Sequence, residues 1–381
     1  MSAGAYFLAL GIVQPVLPRY VRDELGGGGV AVGIAVGAFA VTSALLRPWA
    51  GRIGDRYGRR VLILGGAAIA GVSLLGYSLG DSLIVLVVMR LVTGVGEAAV
   101  FVGAATTAQD LTPASRRGEA TSYFSIAVYG GLAVGPPVGD AVRQAGSSTA
   151  AWVVAAGACG LACLLGLLVP ADRAMAIGGT TRRGFLQRDA IGPGVVLALA
   201  MTGYAGFATF VPLYVDQVGL DEAGPVLATY AVGVLLIRIL GARIPDRFGA
   251  VETSTVALAT IAIGLGVIAA WPTVLGLYVG TVVFSCGQSL VYPALFPLVI
   301  DGAPEAERSH AVATFTLFFD VSQGVGAVAL GAVVALMGER AAFAAAAIVC
   351  AGAIIVLRRG VPSFSRLTGT ENVPVTVENA P

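Results

Sequence analysis

The chain has 381 residues, of which 57% are hydrophobic and 12% charged, with a formal net charge of +1. Soluble domains carry about 25% charged residues, so too little polar surface is left here to coat a globule in water. A mean hydropathy of +0.87 points instead to a bilayer as the solvent. The near-neutral charge supplies no field for nucleic acid. Every basic side chain except His310 is an arginine, and the four cysteines lie in apolar runs without a CxxC pair. They read as packing residues rather than a disulfide frame or metal site.

A helix needs about 20 apolar residues to cross the hydrocarbon core. Apolar runs of that size fall at roughly 3–21, 30–50, 61–79, 82–108, 119–141 and 149–169, and again at 190–213, 223–242, 252–270, 273–298, 309–337 and 341–357. Backbone groups in lipid are satisfied inside a helix. The expected fold is therefore an all-α membrane protein of twelve transmembrane helices. The first run begins almost at Met1 without a basic leader, so no cleavable signal peptide is expected. The predicted domains are a six-helix bundle over 1–169, a linker over 170–189, a second bundle over 190–358 and a disordered tail over 359–381. An even number of spans places both termini on one side. That side collects most of the arginines, against Arg19, Arg22, Arg143 and Arg340 on the other, and the positive-inside rule makes it cytoplasmic. The predicted location is the plasma membrane, multi-pass, with the chain a monomer in the lipid bilayer.

A short charged phrase occurs twice. "RPWAGRIGDRYGRR" at 47–60 is echoed by "RILGARIPDRFG" at 238–249, with a constant shift of 191 residues. The shift carries Arg47 onto Arg238, Arg52 onto Arg243, Asp55 onto Asp246, Arg56 onto Arg247 and Gly58 onto Gly249, and downstream Asp110 onto Asp301, Pro113 onto Pro304 and Phe124 onto Phe315. The chain is thus two parallel copies of a six-helix unit related by a pseudo-two-fold axis. Such halves enclose a midplane site reached alternately from each side.

"GRIGDRYGRR" at 51–60 resembles the loop signature of the major facilitator superfamily. "RLVTGVGEAA" at 90–99 is similar to that family's fourth-helix motif, and "GGLAVGPPVGD" at 130–140 to its fifth-helix antiporter motif. The last of these ends Gly139-Asp140 where the family pattern commonly ends Gly-Gly. The resemblance implies a carrier whose inner side is latched by the loop phrase. The expected latch residues are Gly51, Arg52, Gly54, Asp55, Arg56, Gly58, Arg59 and Asp110, with Arg243, Asp246 and Arg247 in the second copy. The glycines are expected to permit tight turns, and Asp110 to pair with Arg52 or Arg56. The helix-five residues Gly131, Gly135, Pro136 and Gly139 are expected to kink the helix and admit a neighbour.

Ionisable groups inside a membrane are costly and mark function. Arg90 and Glu97 lie seven residues apart on the fourth span and share a face, and Asp320 sits within the eleventh. The repeat turns Arg90 into Thr281, Glu97 into Gln288 and Asp320 into Tyr129. These charges are asymmetric additions to a symmetric frame, so Glu97 or Asp320 is expected to carry a proton. Arg90, too distant from Glu97 along the axis for a firm direct pair, is expected to tune the carboxyl or to hold an anionic substrate group. Gln14, Tyr123, Tyr129, Tyr204, Phe207, Gln288, Tyr292, Phe318, Phe319 and Gln323 are candidates for the cavity wall. His310 has no ligand-spaced partner, so no metal is expected, and no cofactor. Neither a nucleophile–base constellation nor a GxxxxGK[ST] loop occurs, so the expected protein is not an enzyme. The leading expectation is proton-coupled efflux, by antiport, of a small amphiphilic drug or metabolite. The alternatives are a symporter or facilitator importing a sugar or organic acid and, in another class, a non-transporting receptor.

Overall fold

The structure is a computed structural model and describes residues 1–79, 82–113, 116–170, 186–241, 247–304 and 307–367. Twelve long helices follow one another: α1 (Ser2–Arg19), α2 (Gly29–Tyr57), α3 (Arg59–Gly76), α4 (Leu83–Asp110), α5 (Arg117–Ala145), α6 (Ser148–Gly166), α7 (Arg188–Tyr214), α8 (Gly224–Leu240), α9 (Ala250–Ala270), α10 (Val274–Gly302), α11 (Arg308–Met337) and α12 (Glu339–Leu367). Among the described residues nine helices are long and apolar enough to cross a membrane, and α8 is a shorter apolar helix. Side-chain caps mark several starts. Ser82, Ser147, Gln187 and Thr273 accept the N–H groups of Val85, Ala150, Ala190 and Gly276, which have no intrahelical partner.

The packing repeats as the sequence does. α1 packs on α5 and α6 as α7 packs on α11 and α12; α2 packs on α4 as α8 packs on α10; α3 packs on α4 as α9 packs on α10. The two halves meet along α2 against α11 and along α5 against α8, a pair of contacts that the two-fold exchanges. At the first seam, a methyl group at Gly29 or Gly33 would strike the carbonyl of Gly331 or Ala327, so the backbones touch directly. Below, the face at which α1 begins and α12 ends is called the terminal face and the opposite one the far face.

Three boundaries differ from the sequence reading. The charged phrase is not a loop: α2 runs through Tyr57, and Gly58 alone, at φ 93°, turns the chain into α3. Gly249, its counterpart in the repeat, likewise has a positive φ, 85°, directly before α9. Gly51 and Gly54 therefore lie inside a helix. Gly54 admits Leu62 and Arg59 of α3, whereas Gly51 faces open space. The tail expected from 359 is helical through Leu367, because α12 continues beyond its apolar stretch. Arg243, Asp246 and most of the linker, 171–185, lie outside the described residues.

Candidate functional site at the boundary between the halves

The intramembrane charges converge on a residue that sequence spacing did not single out. Arg47 sits ten residues before the end of α2 and is largely buried. Its Nη2 lies 3.0 Å from Asp320 Oδ1 on α11 and 3.6 Å from Glu97 Oε1 on α4. One guanidinium from the first half thus joins a carboxylate of its own half to one of the other half. Asp320 and Glu97 are only 4% and 6% exposed, where ions without partners are very costly. The ring of Phe101 lies 4.6 Å from the Arg47 Cζ, and Ser43 Oγ donates to Glu97 Oε2. Two polar atoms of the cluster remain buried and unpartnered, Arg47 Nε and Asp320 Oδ2.

Arg90 stands apart from this cluster. Its Nε and Nη2 donate to the carbonyls of Ala35 and Val36 in α2, at 2.9 and 2.8 Å, and its Cζ lies 4.6 Å from the Phe39 ring. Its Nη1 reaches the Tyr77 hydroxyl. Sharing a face with Glu97 does not bring the two together. A seven-residue separation is two helical turns, and the long side chain extends sideways onto α2. Arg90 is a tie between α4 and α2, and Arg47 is the arginine that lies beside the carboxylates.

Between the halves, Arg238 on α8 reaches Ser125 Oγ on α5 at 3.5 Å and lies over the Tyr129 ring, 4.9 Å from its centroid. Tyr204 of α7 stacks on Tyr230 of α8, with ring centroids 5.3 Å apart, and Gln14 of α1 is half-buried. Phe207 is fully buried against Tyr230 and Phe284. Tyr292 stacks on Phe296 and meets Phe315 at a tilt of 48°. Gln288 is buried, with Nε2 3.0 Å from Met201 Sδ and Oε1 unpartnered, and Gln323 Nε2 is likewise unpartnered. Phe319 is half-buried against the core, and Phe318 fills the notch opposite Gly194. Tyr123 lies elsewhere: it is 69% exposed and borders a cleft at the terminal face with Met1, Ala104, Leu111 and Val169.

On the far face the halves are clasped by helix-end chemistry. Arg19, 4% exposed at the end of α1, donates from Nε to the Pro212 carbonyl in the last turn of α7, from Nη1 to the Asp221 carbonyl and from Nη2 to Asp216 Oδ1. Arg22 holds Asp216 Oδ2 at 2.8 Å. Hydrogen bonds from Arg22 to Asp23 and Asp216 raise its pKa above the usual arginine value, so it stays charged. Asp140 of α5 accepts the Gly224 N–H, the first residue of α8, through Oδ2. A cation thus lies at one helix C-terminus and an anion at the other helix's N-terminus, as the dipoles favour. The departure Gly139-Asp140 has its explanation here, because a second glycine could not make this contact. Gly131, Gly135 and Gly139 press backbone-to-backbone on α1, where a methyl group would meet Leu8, Gly11 or Ile12, while Pro136 and Pro137 lie against Gly224.

At the terminal face the described latch residues keep to their own half. Arg59 binds Asp55 at 2.7 Å and Asp110 at 3.3 Å. The partner of Asp110 is therefore Arg59, not Arg52 or Arg56, which lie over Trp49 and Tyr57 of their own helix. Arg247 similarly lies over Phe248. Sequence reasoning missed Arg47 as a cluster member, the Arg19–Asp216 clasp and Tyr230. The signal for Arg47 was present in its repeat partner, Arg238, since both lie inside apolar runs.

The Major Facilitator Superfamily profile matches residues 1–263 and, in a second match, residues 195–377. The chain is 28% identical over 363 residues to the uncharacterized MFS-type transporter YhhS of Escherichia coli strain K12, covering 93% of this chain and 89% of that one. It is also 28% identical over 374 residues to an uncharacterized MFS-type transporter of Burkholderia pseudomallei, covering 96% and 91%. Among solved structures it is similar to the nucleoside transporter NupG, with a TM-score of 0.78, 13% identity and coverage of 96% and 98%. It is similar also to a peptide transporter, POT, with a TM-score of 0.80, 13% identity and coverage of 96% and 94%.

Proposed function

The chain belongs to the major facilitator superfamily and is a multi-pass membrane transporter, and on that premise we propose that it couples substrate movement to protons through the Arg47–Glu97–Asp320 cluster. The observation that carries the reading is the 3.0 Å pair between Arg47 and Asp320, which joins the two halves. A proton arriving at Asp320 removes its charge and weakens the attraction to Arg47, so protonation is linked to the separation of α2 from α11. Glu97 keeps Arg47 paired when that contact opens, which spares the membrane interior an isolated cation. Linkage of this kind needs only a difference in proton affinity between two arrangements of the halves.

The far-face clasp, built from Arg19, Arg22, Asp140 and Asp216, supports a conformer closed on that side. The arginine-rich terminal face is taken as cytoplasmic, so this conformer opens inward. The protein is proposed to sit in the plasma membrane as a monomer, with both termini cytoplasmic. Opening outward then requires the clasp to release while the latch around Arg59 and Asp110 engages the other half. The aromatic wall of Tyr129, Tyr204, Tyr230 and Tyr292 suits an amphiphilic drug or metabolite. The proposed direction is efflux by antiport against protons.

Inverted membrane vesicles test this. With a proton gradient reported by a quenched acidotropic dye, addition of a substrate from a panel of amphiphilic compounds dequenches the dye as protons leave the lumen. The response disappears in Asp320→Asn. Deeper quenching on substrate addition would indicate symport, and substrate movement without any proton signal would indicate facilitated diffusion; either overturns the antiport reading.

A further inference from the structure

Arg47 and Arg238 occupy the same position in the two copies of the repeat, on α2 and α8, but their surroundings differ. Arg47 is neutralised by Glu97 and Asp320. In the second copy Gln288 stands where Glu97 would be, and Tyr129 stands where Asp320 would be. Tyr129 does occupy the place of a counter-ion: its ring lies 4.9 Å from the Arg238 Cζ, across the boundary between the halves, as Asp320 lies against Arg47. The phenol carries no negative charge to offer. Gln288 is turned away, to Met201. Among the described residues Arg238 has no carboxylate, and its Nε is buried without a partner. Its one side-chain hydrogen bond is the long contact to Ser125. A cation–π contact replaces only part of what an anion supplies, and arginine in this setting does not lose its proton. Two arginines at symmetric positions on the boundary between the halves therefore differ: one has carboxylate partners and the other, among the described residues, has none.

We propose that Arg238 is the binding site for the acidic group of an amphiphilic organic anion, whose apolar body lies along Tyr129, Tyr204 and Tyr230. The substrate supplies the carboxylate, sulfonate or phosphate that the second copy of the repeat lacks. A planar guanidinium with a free Nε presents two parallel donors to such a group. The Tyr129 ring lies against Arg238 itself and Tyr204 stacks on Tyr230, which lies two turns before Arg238 on α8. This inference rests on the transporter reading above and names its substrate class. Division of labour follows from the symmetry: the Arg47 position handles the proton and the Arg238 position the anion.

The test uses the purified full-length chain in detergent and a matched set of probes: phenylbutyrate, phenylbutylamine and phenylbutyramide. Ligands that bind the folded state raise its melting temperature with concentration. Phenylbutyrate is expected to stabilise the wild type at lower concentration than the amine or amide. Arg238→Gln weakens its binding by about tenfold or more, as expected for loss of a buried charge partner, and Arg238→Lys retains part of it. Tyr129→Asp installs the missing carboxylate, which occupies Arg238 and abolishes anion binding, whereas the uncharged Tyr129→Asn removes only one aromatic contact and weakens binding far less than Tyr129→Asp does. Asp320→Asn still binds phenylbutyrate even though proton coupling is lost, so the two readings fail separately. Absence of a preference for the anion, including no stabilisation by any probe, or phenylbutyrate binding as tight as the wild type's in Arg238→Gln or Tyr129→Asp, overturns the assignment.

Discussion

Arg47 Nη2 and Asp320 Oδ1 meet at 3.0 Å across the boundary between the two halves, with Glu97 Oε1 3.6 Å from the same nitrogen. All three side chains are withdrawn from solvent, so removing the cation leaves two buried carboxylates facing each other. Arg47→Met is expected to destabilise the protein by about 3–5 kcal/mol, the usual cost of breaking a buried ion pair from one side. Arg47→Met/Glu97→Gln/Asp320→Asn should recover much of that loss. Thermal unfolding of the single and triple variants in detergent measures the difference, and a triple variant no more stable than the single one would refute the pairing.

Loss of the proton-carrying group need not stop the halves from moving. Asp320→Asn is expected to retain exchange of substrate for substrate in proteoliposomes while losing the acceleration of net flux by a pH gradient. Comparing exchange with gradient-driven flux on the same preparation makes the measurement. Equal loss of both would show that Asp320 is structural.

The Arg19–Asp216 clasp predicts a shift in accessibility. Gly324 faces Gly37 in the α2–α11 seam, and a side chain added there meets only ordinary van der Waals contact, at 3.4 Å. With the four native cysteines removed, Gly324→Cys reports separation of the seam. Impermeant thiol reagents added from the far face should label it several-fold faster in Arg19→Gln or Asp216→Asn than in the parent. Unchanged labelling would mean that the clasp does not hold this side closed.

Backbone contact in the same seam predicts a steric effect. Any side chain at Gly33 meets the Ala327 carbonyl and the Val328 backbone. Gly33→Val is expected to prevent full closure of α2 on α11, to raise far-face labelling of Gly324→Cys and to reduce transport at least tenfold, since packed interfaces do not deform continuously. Gly51→Val, beside open space, serves as the control and should transport normally.

The Arg59–Asp110 pair is half-exposed and lies within one half. Asp110→Asn should change thermal stability by no more than about 1 kcal/mol. If this acid engages the other half in the outward-open state, the same substitution slows transport without weakening substrate binding. A drop in melting temperature matching the drop in rate would instead mark a static contact.

The sequence by itself determined the solvent, the twelve helices and the repeat, because hydropathy and a constant register are properties of the chain read in one dimension. It located Glu97 and Asp320 for the same reason, as rare carboxylates in apolar runs. It offered Arg90 as the group that tunes them and did not single out Arg47, which is their ion-pair partner. Arg90 shares a face with Glu97 on one helix, yet only the packing of α4 on α2 shows that Arg90 extends to the carbonyls of Ala35 and Val36. The loop phrase was legible as a signature, but the continuation of α2 to Tyr57 was not, since arginines are tolerated where a helix leaves the membrane. Likewise Asp140 read as a departure from a motif until the start of α8 was placed against it. Which charges meet depends on contacts between residues on different helices, far apart in the chain, and those arise from how the helices pack. Only the tertiary structure decided that Arg47 is neutralised by two acids while its repeat partner Arg238 faces a tyrosine ring.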